Sequence, residues 1–218
     1  MRITFLALAR TKQITRTVFA ALSLLTFFAA PSSASSILPS AWDVITTTGV
    51  VGVLRAGSPW GPGSALAAQS SIVDDAFVPE QQQWNTGSWW WDEDPSVNAS
   101  PVVTTIHLNQ LYTIDSFTVQ ADNNDTYRLE YWNGAAFQLA WDVPAIAGFG
   151  LMTRTSGPLP SFSTDLLRFT ATGGDNYYSV SEIQADGFAT ADAVPEPATI
   201  LLLGSGLVGV ARRYRKRA

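Results

Sequence analysis

The chain has 218 residues, a hydrophobic fraction of 46%, no cysteine, one histidine and a formal charge of −5. This length fits one domain with short appendages, and the hydrophobic fraction is sufficient for a core. The absence of cysteine excludes disulfide scaffolds, zinc sites built on thiolates and thiol nucleophiles, and a single histidine disfavours catalysis that relies on imidazole.

The charge is unevenly distributed along the chain. Nine of the 13 basic residues lie in the first 16 or the last seven positions, whereas residues 35–194 contain four arginines and 17 of the 18 acids, a formal charge of −13. Nucleic acid is therefore excluded as a partner, because its binding requires a cationic surface. An acidic surface suits an exported protein and bound cations such as calcium.

Residues 1–34 have the pattern of a secretory signal peptide. Four basic residues and no acid accompany an apolar run at 17–30, and Ser32 and Ala34 are the small residues expected for cleavage after Ala34. The alternative is an uncleaved N-terminal anchor, although the apolar run is shorter than the ~20 residues of a membrane-spanning helix.

Residues 35–192 predict one β domain. Apolar residues alternate with period two, and no helical stripe of comparable length occurs. Asn133-Gly134 is a two-residue turn between two such segments, which indicates a hairpin. Short strands separated by turns predict an all-β fold, an antiparallel jelly roll or β-sandwich. The alternating segments are 102–108, 117–121, 127–132, 137–141 and 167–171.

A run of three tryptophans, Trp89, Trp90 and Trp91, precedes Asp92 and two further acids. Consecutive strand residues point to opposite faces, so at least one ring is expected to be exposed. Exposed rings beside carboxylates predict a sugar-binding platform, on which rings stack against apolar C–H faces and carboxylates accept hydroxyl hydrogen bonds. The alternative is that two rings lie in the core and the acids lie on a solvated loop.

Other acidic pairs and the lone histidine give weak indications of chemistry. The segment Asp122-Asn123-Asn124-Asp125 begins like a calcium loop but lacks the later glycine and glutamate, so an inter-strand loop is favoured. Two carboxyls across a cleft could serve glycoside hydrolysis, yet adjacent loop acids are ordinary. His107 lies in a strand pattern and has no evident catalytic partner. We therefore predict that the protein is not an enzyme.

The C-terminus combines three features in order. They are the motif Val194-Pro195-Glu196-Pro197, an apolar run at 198–211 and five basic residues in the last seven positions. The apolar run predicts a hydrophobic helix that is short for a full membrane span, and the terminal cations favour the cytoplasmic side. A buried core helix is the alternative, but five terminal cations are atypical of one.

This tail, residues 193–218, resembles the PEP-CTERM sorting signal of Gram-negative bacteria. In that family a membrane transpeptidase, the exosortase, recognises and cuts the tail, and the protein reaches the cell surface or the extracellular matrix. The resemblance implies that Pro195, Glu196 and Pro197 are recognition elements. It also implies the exosortase and the secretion machinery as partners, with an intermediate anchored in the inner membrane through the C-terminal segment. Cleavage and retention of the tail both stay open.

The body carries a second set of ordered features. They lie at residues 67–71, Val73-Asp74-Asp75, Trp84, 105–108, 114–119, 127–134, 167–169 and 180–183. This order resembles the discoidin, or coagulation-factor type C, family, whose fold is a galactose-binding-like jelly roll. Asp75 stands where the family has a turn glycine, and the cysteine pair of many members is absent.

The discoidin resemblance implies a structural calcium ion. Carried over by position, its ligands are the Asp74 carboxylate, the Ala76 carbonyl, the Thr86 hydroxyl or that of a neighbour, and the Glu182 carboxylate. Calcium binds six to eight oxygens supplied by flexible loops, which suits this set. The alternative is that Asp74 and Asp75 form a simple turn and Glu182 pairs with Arg168.

These patterns predict an exported cell-surface or matrix protein that binds carbohydrate, with the exopolysaccharide of the producing cell as the expected ligand class. One alternative is a non-catalytic structural or adhesion protein of the matrix that binds other protein copies. A hydrolase is a third and less favoured alternative.

Overall fold

The computed structural model describes residues 35–61 and 63–190. The predicted signal peptide at 1–34 and the predicted sorting tail at 193–218 lie outside these ranges. Within them, no helix combines the length and the apolar character that crossing a membrane requires.

The regular secondary structure of the described residues is almost entirely antiparallel β-strand. A single 3₁₀ turn, Gln69–Val73, lies between β2 and β3. The elements are β1 (Ser35–Ser36), α1 (Leu38–Ala41), β2 (Trp42–Thr48), β3 (Trp89–Asp92), β4 (Val103–Asp122), β5 (Thr126–Trp132), β6 (Phe137–Val143), β7 (Leu151–Thr155), β8 (Phe162–Gly173) and β9 (Tyr177–Ala189).

Strand β4 is the centre of the fold. Its first part pairs with β2 and β8, and its second part pairs with β9 and β7. A register shift between His107 and Tyr112 separates the two parts in the pairing with β8. Strand β5 lies between β8 and β6, while β1 and β3 pair with β9. The result is an antiparallel β-sandwich, which confirms the predicted fold class.

The predicted strands occur where alternation indicated them, with one difference. Residues 103–108 and 117–121 belong to a single strand of 20 residues, because Tyr112, Thr113 and Ile114 between them also pair with β8 and β9. The predicted hairpin joins β5 to β6, but its loop has four residues, 133–136, and not the predicted two. The Asn133 side chain accepts hydrogen bonds from the Ala135 and Ala136 amides, both at 2.9 Å, and Gly134 has φ +93°.

The core lies between the inward faces of the strands. Tyr127 stacks on Phe169 with ring centroids 5.1 Å apart, and Phe117 stacks on Phe162 at 6.2 Å. Aliphatic residues such as Ile106 from β4 are completely buried in the same cluster. Burial of large rings contributes most of the apolar area of such a core.

Candidate functional site

All three tryptophans of β3 are buried. Trp89, Trp90 and Trp91 are 8%, 1% and 1% exposed. Trp89 and Trp91 pack in the main core, whereas Trp90 packs in a second cluster, so the predicted alternation of faces holds. That second cluster also contains Trp84 and Tyr177. The inference that at least one ring is exposed is wrong, and the run does not form an open stacking platform.

The long segment between β2 and β3 covers the second face of β3. The Gly52 amide donates to the Trp90 carbonyl at 3.0 Å, and Leu66 packs against the Trp90 cluster. The Asn98 side chain fixes this segment, because it accepts from the Val50 amide at 2.6 Å and donates to the Val50 carbonyl at 3.0 Å. This cover comes from residues remote in sequence, so strand alternation could not reveal it.

The aromatic cluster around Trp90 has an exposed neighbour, Trp60, which is 39% exposed. Its ring lies 6.1 Å from Trp84 and 6.3 Å from Tyr177, with interplanar angles of 79° and 80°. Trp84 in turn contacts Trp90 at 5.8 Å. Trp60 is therefore the outermost ring of an aromatic cluster whose inner members are buried.

Sequence reasoning missed Trp60 because it lies in the Gly/Pro-rich segment at 57–63, which reads only as a loop. The available signal was a single large aromatic residue among glycines and prolines, with no alternating apolar neighbours. A ring in such a loop does not belong to a strand whose inward face packs against the core, so its burial cannot be predicted from alternation. The Trp60 amide donates to Ser58 Oγ at 3.3 Å, within a local turn.

Arg55 joins this loop to the end of β3. Its backbone amide and its Nε donate to Asp92 Oδ2 at 2.9 and 2.8 Å, and a terminal nitrogen donates to Asp92 Oδ1 at 2.6 Å. Its guanidinium carbon lies 4.2 Å from the centroid of the Tyr177 ring. Another terminal nitrogen lies 3.4 Å from Asp94 Oδ2. Arg55 and Asp94 side chains stay 22% and 30% exposed.

Asp92 is a structural anchor rather than a free ligand group. Its side chain is completely buried, and Arg55 and the Asp94 amide occupy both of its oxygens. Burial alone would raise the pKa of Asp92, but the hydrogen bonds from Arg55 outweigh burial and lower this pKa below its usual value. The prediction that Asp92 offers its carboxylate on an exposed platform is therefore wrong.

The exposed groups of the cluster have complementary chemistry. Trp60 offers an aromatic ring, Arg55 offers hydrogen-bond donors, and Asp94 offers a carboxylate acceptor whose pKa is lowered chiefly by hydrogen bonds from Ser96. A ring beside a charged donor and acceptor is the combination that recognises a polyhydroxylated ligand with one apolar face. We call Trp60, Arg55 and Asp94 the Trp60 surface.

A second polar site surrounds Glu182 on β9. Glu182 is completely buried; its Oε1 accepts from the Asp75 amide at 3.2 Å, while no described residue bonds its Oε2. Burial raises the pKa of Glu182 to about 8, and the negative charge of the nearby Asp74 adds to this increase. Asp74 Oδ1 accepts from the Ala76 amide at 3.0 Å. Three predicted calcium ligands, Asp74, Ala76 and Glu182, thus lie in one neighbourhood.

Thr86, the remaining predicted calcium ligand, hydrogen bonds to a residue outside the predicted set. The Thr86 hydroxyl lies 2.9 Å from Ser64 Oγ, with which it hydrogen bonds. The alternative in which Glu182 pairs with Arg168 is wrong, because Arg168 bonds Glu130 at 2.7 Å. Within the described ranges, no three carboxylate, imidazole or thiol side chains cluster at metal-binding distance. The orphaned, buried Glu182 oxygen is nevertheless a group that a cation would satisfy.

The segment Asp122–Asp125 is the turn between β4 and β5, as the favoured interpretation predicted. Its two carboxyls are buried, and burial raises the pKa of Asp122 to about 6 and that of Asp125 to about 8. Tyr127 donates to Asp125 Oδ2 at 3.2 Å. Arg154 is 5% exposed and donates to the Asp122 carbonyl at 2.9 Å.

Residues 193–216 match the PEP-CTERM protein-sorting motif, which confirms the sorting signal predicted at the C-terminus. The motif implies that the protein is exported and processed at a membrane. No curated protein sequence matches the chain.

Several solved structures are similar to the chain at low sequence identity. The family 32 carbohydrate-binding module of Clostridium perfringens NanJ, solved with galactose, is 15% identical with a TM-score of 0.46, covering 70% of this chain and 98% of that one. The family 32 module of Streptococcus pneumoniae EndoD is 12% identical with a TM-score of 0.45, covering 69% and 98%. The C-terminal domain of a Bacteroides fragilis chitobiase is 11% identical with a TM-score of 0.47, covering 72% and 100%.

Proposed function

We propose that this protein is an exported, non-catalytic carbohydrate-binding protein of the cell surface or extracellular matrix, and that its ligand contacts the Trp60 surface. The observation that carries the proposal is the exposed ring of Trp60, which contacts the buried rings of Trp84 and Tyr177, while Arg55 lies over the same Tyr177 ring. The sorting motif supports delivery by an exosortase from an inner-membrane intermediate of a Gram-negative cell.

Each side chain of the Trp60 surface would make a different kind of contact with the ligand. The ring stacks on the apolar C–H face of a sugar, the free donors of Arg55 bind hydroxyl oxygens, and Asp94 accepts hydroxyl hydrogen bonds. Arg55 is already oriented by the buried Asp92, so little side-chain entropy is lost when the ligand binds. The expected ligand class is a neutral polysaccharide such as the exopolysaccharide of the producing cell, because the acidic body repels anionic chains.

A glycan array followed by titration calorimetry with the best-bound oligosaccharide tests this function. Trp60→Ala should weaken binding at least about 30-fold, the size of a typical interface hot spot of 2 kcal/mol. Trp60→Phe should retain part of the affinity. The matched control is Phe149→Ala, which removes an exposed ring (53%) outside the aromatic cluster and should leave affinity unchanged. Equal affinity of Trp60→Ala and the unmodified chain would remove the Trp60 surface as the site.

We also propose that a calcium ion binds beside Glu182, with Asp74 and the Ala76 carbonyl as further ligands. The support is the buried Glu182 Oε2 without a hydrogen-bond partner among the described residues. A divalent cation there would neutralise the carboxylates and fix the turn at residues 74–76, which lies between Trp60 and Trp84 in the chain. Thr86 is the weakest of the sequence-predicted ligands, because its hydroxyl bonds Ser64.

A further inference from the structure

Strand β6 is an open edge of the sandwich. Among residues 35–61 and 63–190 it pairs only with β5, so its other side presents backbone N–H and C=O groups to solvent. It contains no lysine and no proline, and its single charged residue is Asp142. Natural proteins usually protect such edges with charges or prolines, because an open edge pairs readily with another strand.

The outward face beside this edge carries three apolar side chains at the turn end of the hairpin. Trp132 and Phe137 lie directly opposite each other at the end of the β5–β6 hairpin, with ring centroids 5.3 Å apart. Leu139, on the same face of β6, is 53% exposed. The Arg168 guanidinium carbon lies 4.0 Å from the Phe137 ring centroid. We call Trp132, Phe137 and Leu139 the hairpin patch.

Charge favours a second copy of this chain as the occupant. Residues of the hairpin make two of the four acid–arginine contacts of the described structure, Arg128–Asp142 at 2.8 Å and Glu130 with Arg168 of β8 at 2.7 Å. The hairpin region is therefore neutral, while the other 15 acids and two arginines of residues 35–194 carry the whole charge of −13. Two such acidic bodies repel each other least where the hairpins meet.

The register of β6 limits the contact. Leu129 lies opposite Trp141 and Glu130 lies opposite Leu139, so Ala140 is an extra residue that forms a β-bulge. A bulge bends an edge and interrupts further pairing. The bulge divides β6 into two short regular stretches, 137–139 beside the hairpin patch and 141–143 beyond it. The first stretch fits a short two-fold contact between antiparallel β6 strands and not a long continuous sheet.

We propose that two copies of this protein associate through their β6 edges, with the hairpin patches packed together across a two-fold axis. The contact is short, so the pair is weak in dilute solution and is strengthened where sorting concentrates the chain on a surface. This interaction is independent of carbohydrate binding, because it uses other residues.

The chain lacks cysteine, so a single introduced cysteine is the only residue of the chain that a thiol-specific crosslinker can join to a second copy. Leu139→Cys and, separately, Gln138→Cys are expressed in the full chain and treated on intact cells with a short bismaleimide. The control is Leu111→Cys, which is similarly exposed (44%) but lies on β4. We expect crosslinked chains of twice the monomer mass for both β6 variants and at least fivefold less for the control.

Three results would overturn the proposal. The first is that neither of the folded β6 variants forms a crosslink. The second is that Leu111→Cys forms the crosslinked dimer in equal yield. The third is that the mass of the crosslinked product shows this chain joined to a different protein. As a second measurement, light scattering of the detergent-purified full chain should show a concentration-dependent dimer that Leu139→Lys abolishes. An unchanged dimer in Leu139→Lys also counts against pairing at β6.

Discussion

Arg55 and Asp92 form the link between the loop that carries Trp60 and the strand that carries the three tryptophans. The backbone amide and the guanidinium of Arg55 together bond both oxygens of a carboxylate that is completely buried. A buried carboxylate without such partners is strongly destabilising. The exposed Trp60 surface therefore depends on an interaction that is itself hidden from the ligand.

Asp92→Asn should destabilise the protein more than an equivalent change at the surface. Loss of one partner of a largely buried pair costs about 3 kcal/mol, which lowers Tm by roughly 6–12 °C in a domain of this size. The control is Asp142→Asn, which breaks an exposed pair with Arg128 and should cost less than about 1 kcal/mol. Thermal unfolding of the two variants side by side measures the difference. Equal shifts would contradict the structural role of Asp92.

Gly63→Ala should disturb the Trp90 cluster. A Cβ atom at Gly63 would lie 2.8 Å from the Trp90 ring, at a backbone φ of +74°. Gly57→Ala is a matched control, because Gly57 has φ +75° and no heavy atom within 4 Å of the added Cβ. Both variants share the cost of a positive φ, so the difference between them isolates the clash.

We expect Gly63→Ala to be less stable than Gly57→Ala by about 1–3 kcal/mol, the usual cost of overpacking. Denaturant unfolding with tryptophan fluorescence measures both. Identical midpoints would show that Trp90 moves aside without cost.

Stability should fall as pH rises from about 4 to about 8. Burial and the charges of Asp122 and Asp175 raise the pKa of Asp125 to about 8 in the folded protein, against 3.8 for the free side chain. The folded state therefore keeps a proton that the unfolded state releases, and this group's stabilisation is complete below pH 4 and lost by about pH 8. The maximum slope for one group is about 1.4 kcal/mol per pH unit.

Asp125→Asn should reduce this pH dependence, to which Glu182 and Asp122 also contribute because burial raises their pKa values to about 8 and about 6. Asp165→Asn, which changes an exposed residue, should leave the pH dependence unchanged. Thermal melts of the two variants from pH 4 to pH 9 give the comparison. A pH profile of Asp125→Asn that superimposes on that of the unmodified chain would exclude Asp125 as the source.

Calcium should raise the Tm of the full chain, and Glu182→Gln should remove the effect. Calcium binding to the folded state alone stabilises by about 2.7 kcal/mol at 100 times its Kd. The control is Glu130→Gln, whose carboxylate pairs with Arg168 at 2.7 Å between β5 and β8. A Tm that does not respond to calcium, or a response that persists in Glu182→Gln, disproves the site while leaving the Trp60 surface untouched.

The sequence determined the fold class of this protein and its export with processing at a membrane. Alternation of apolar residues is a local property, so it identified the strands of the β5–β6 hairpin and the turn at Asn133-Gly134 without knowledge of their partners. The sorting tail is likewise recognised as a linear motif, and its match at 193–216 needs no folded context.

Only the tertiary structure decided which aromatic residue faces solvent. Trp90 does point away from the main core, as its position in the strand requires, but a segment from far earlier in the chain covers it. Trp60, within that covering segment, remains exposed. Burial depends on contacts between residues distant in sequence, and strand periodicity carries information only about which side of its own strand a residue occupies.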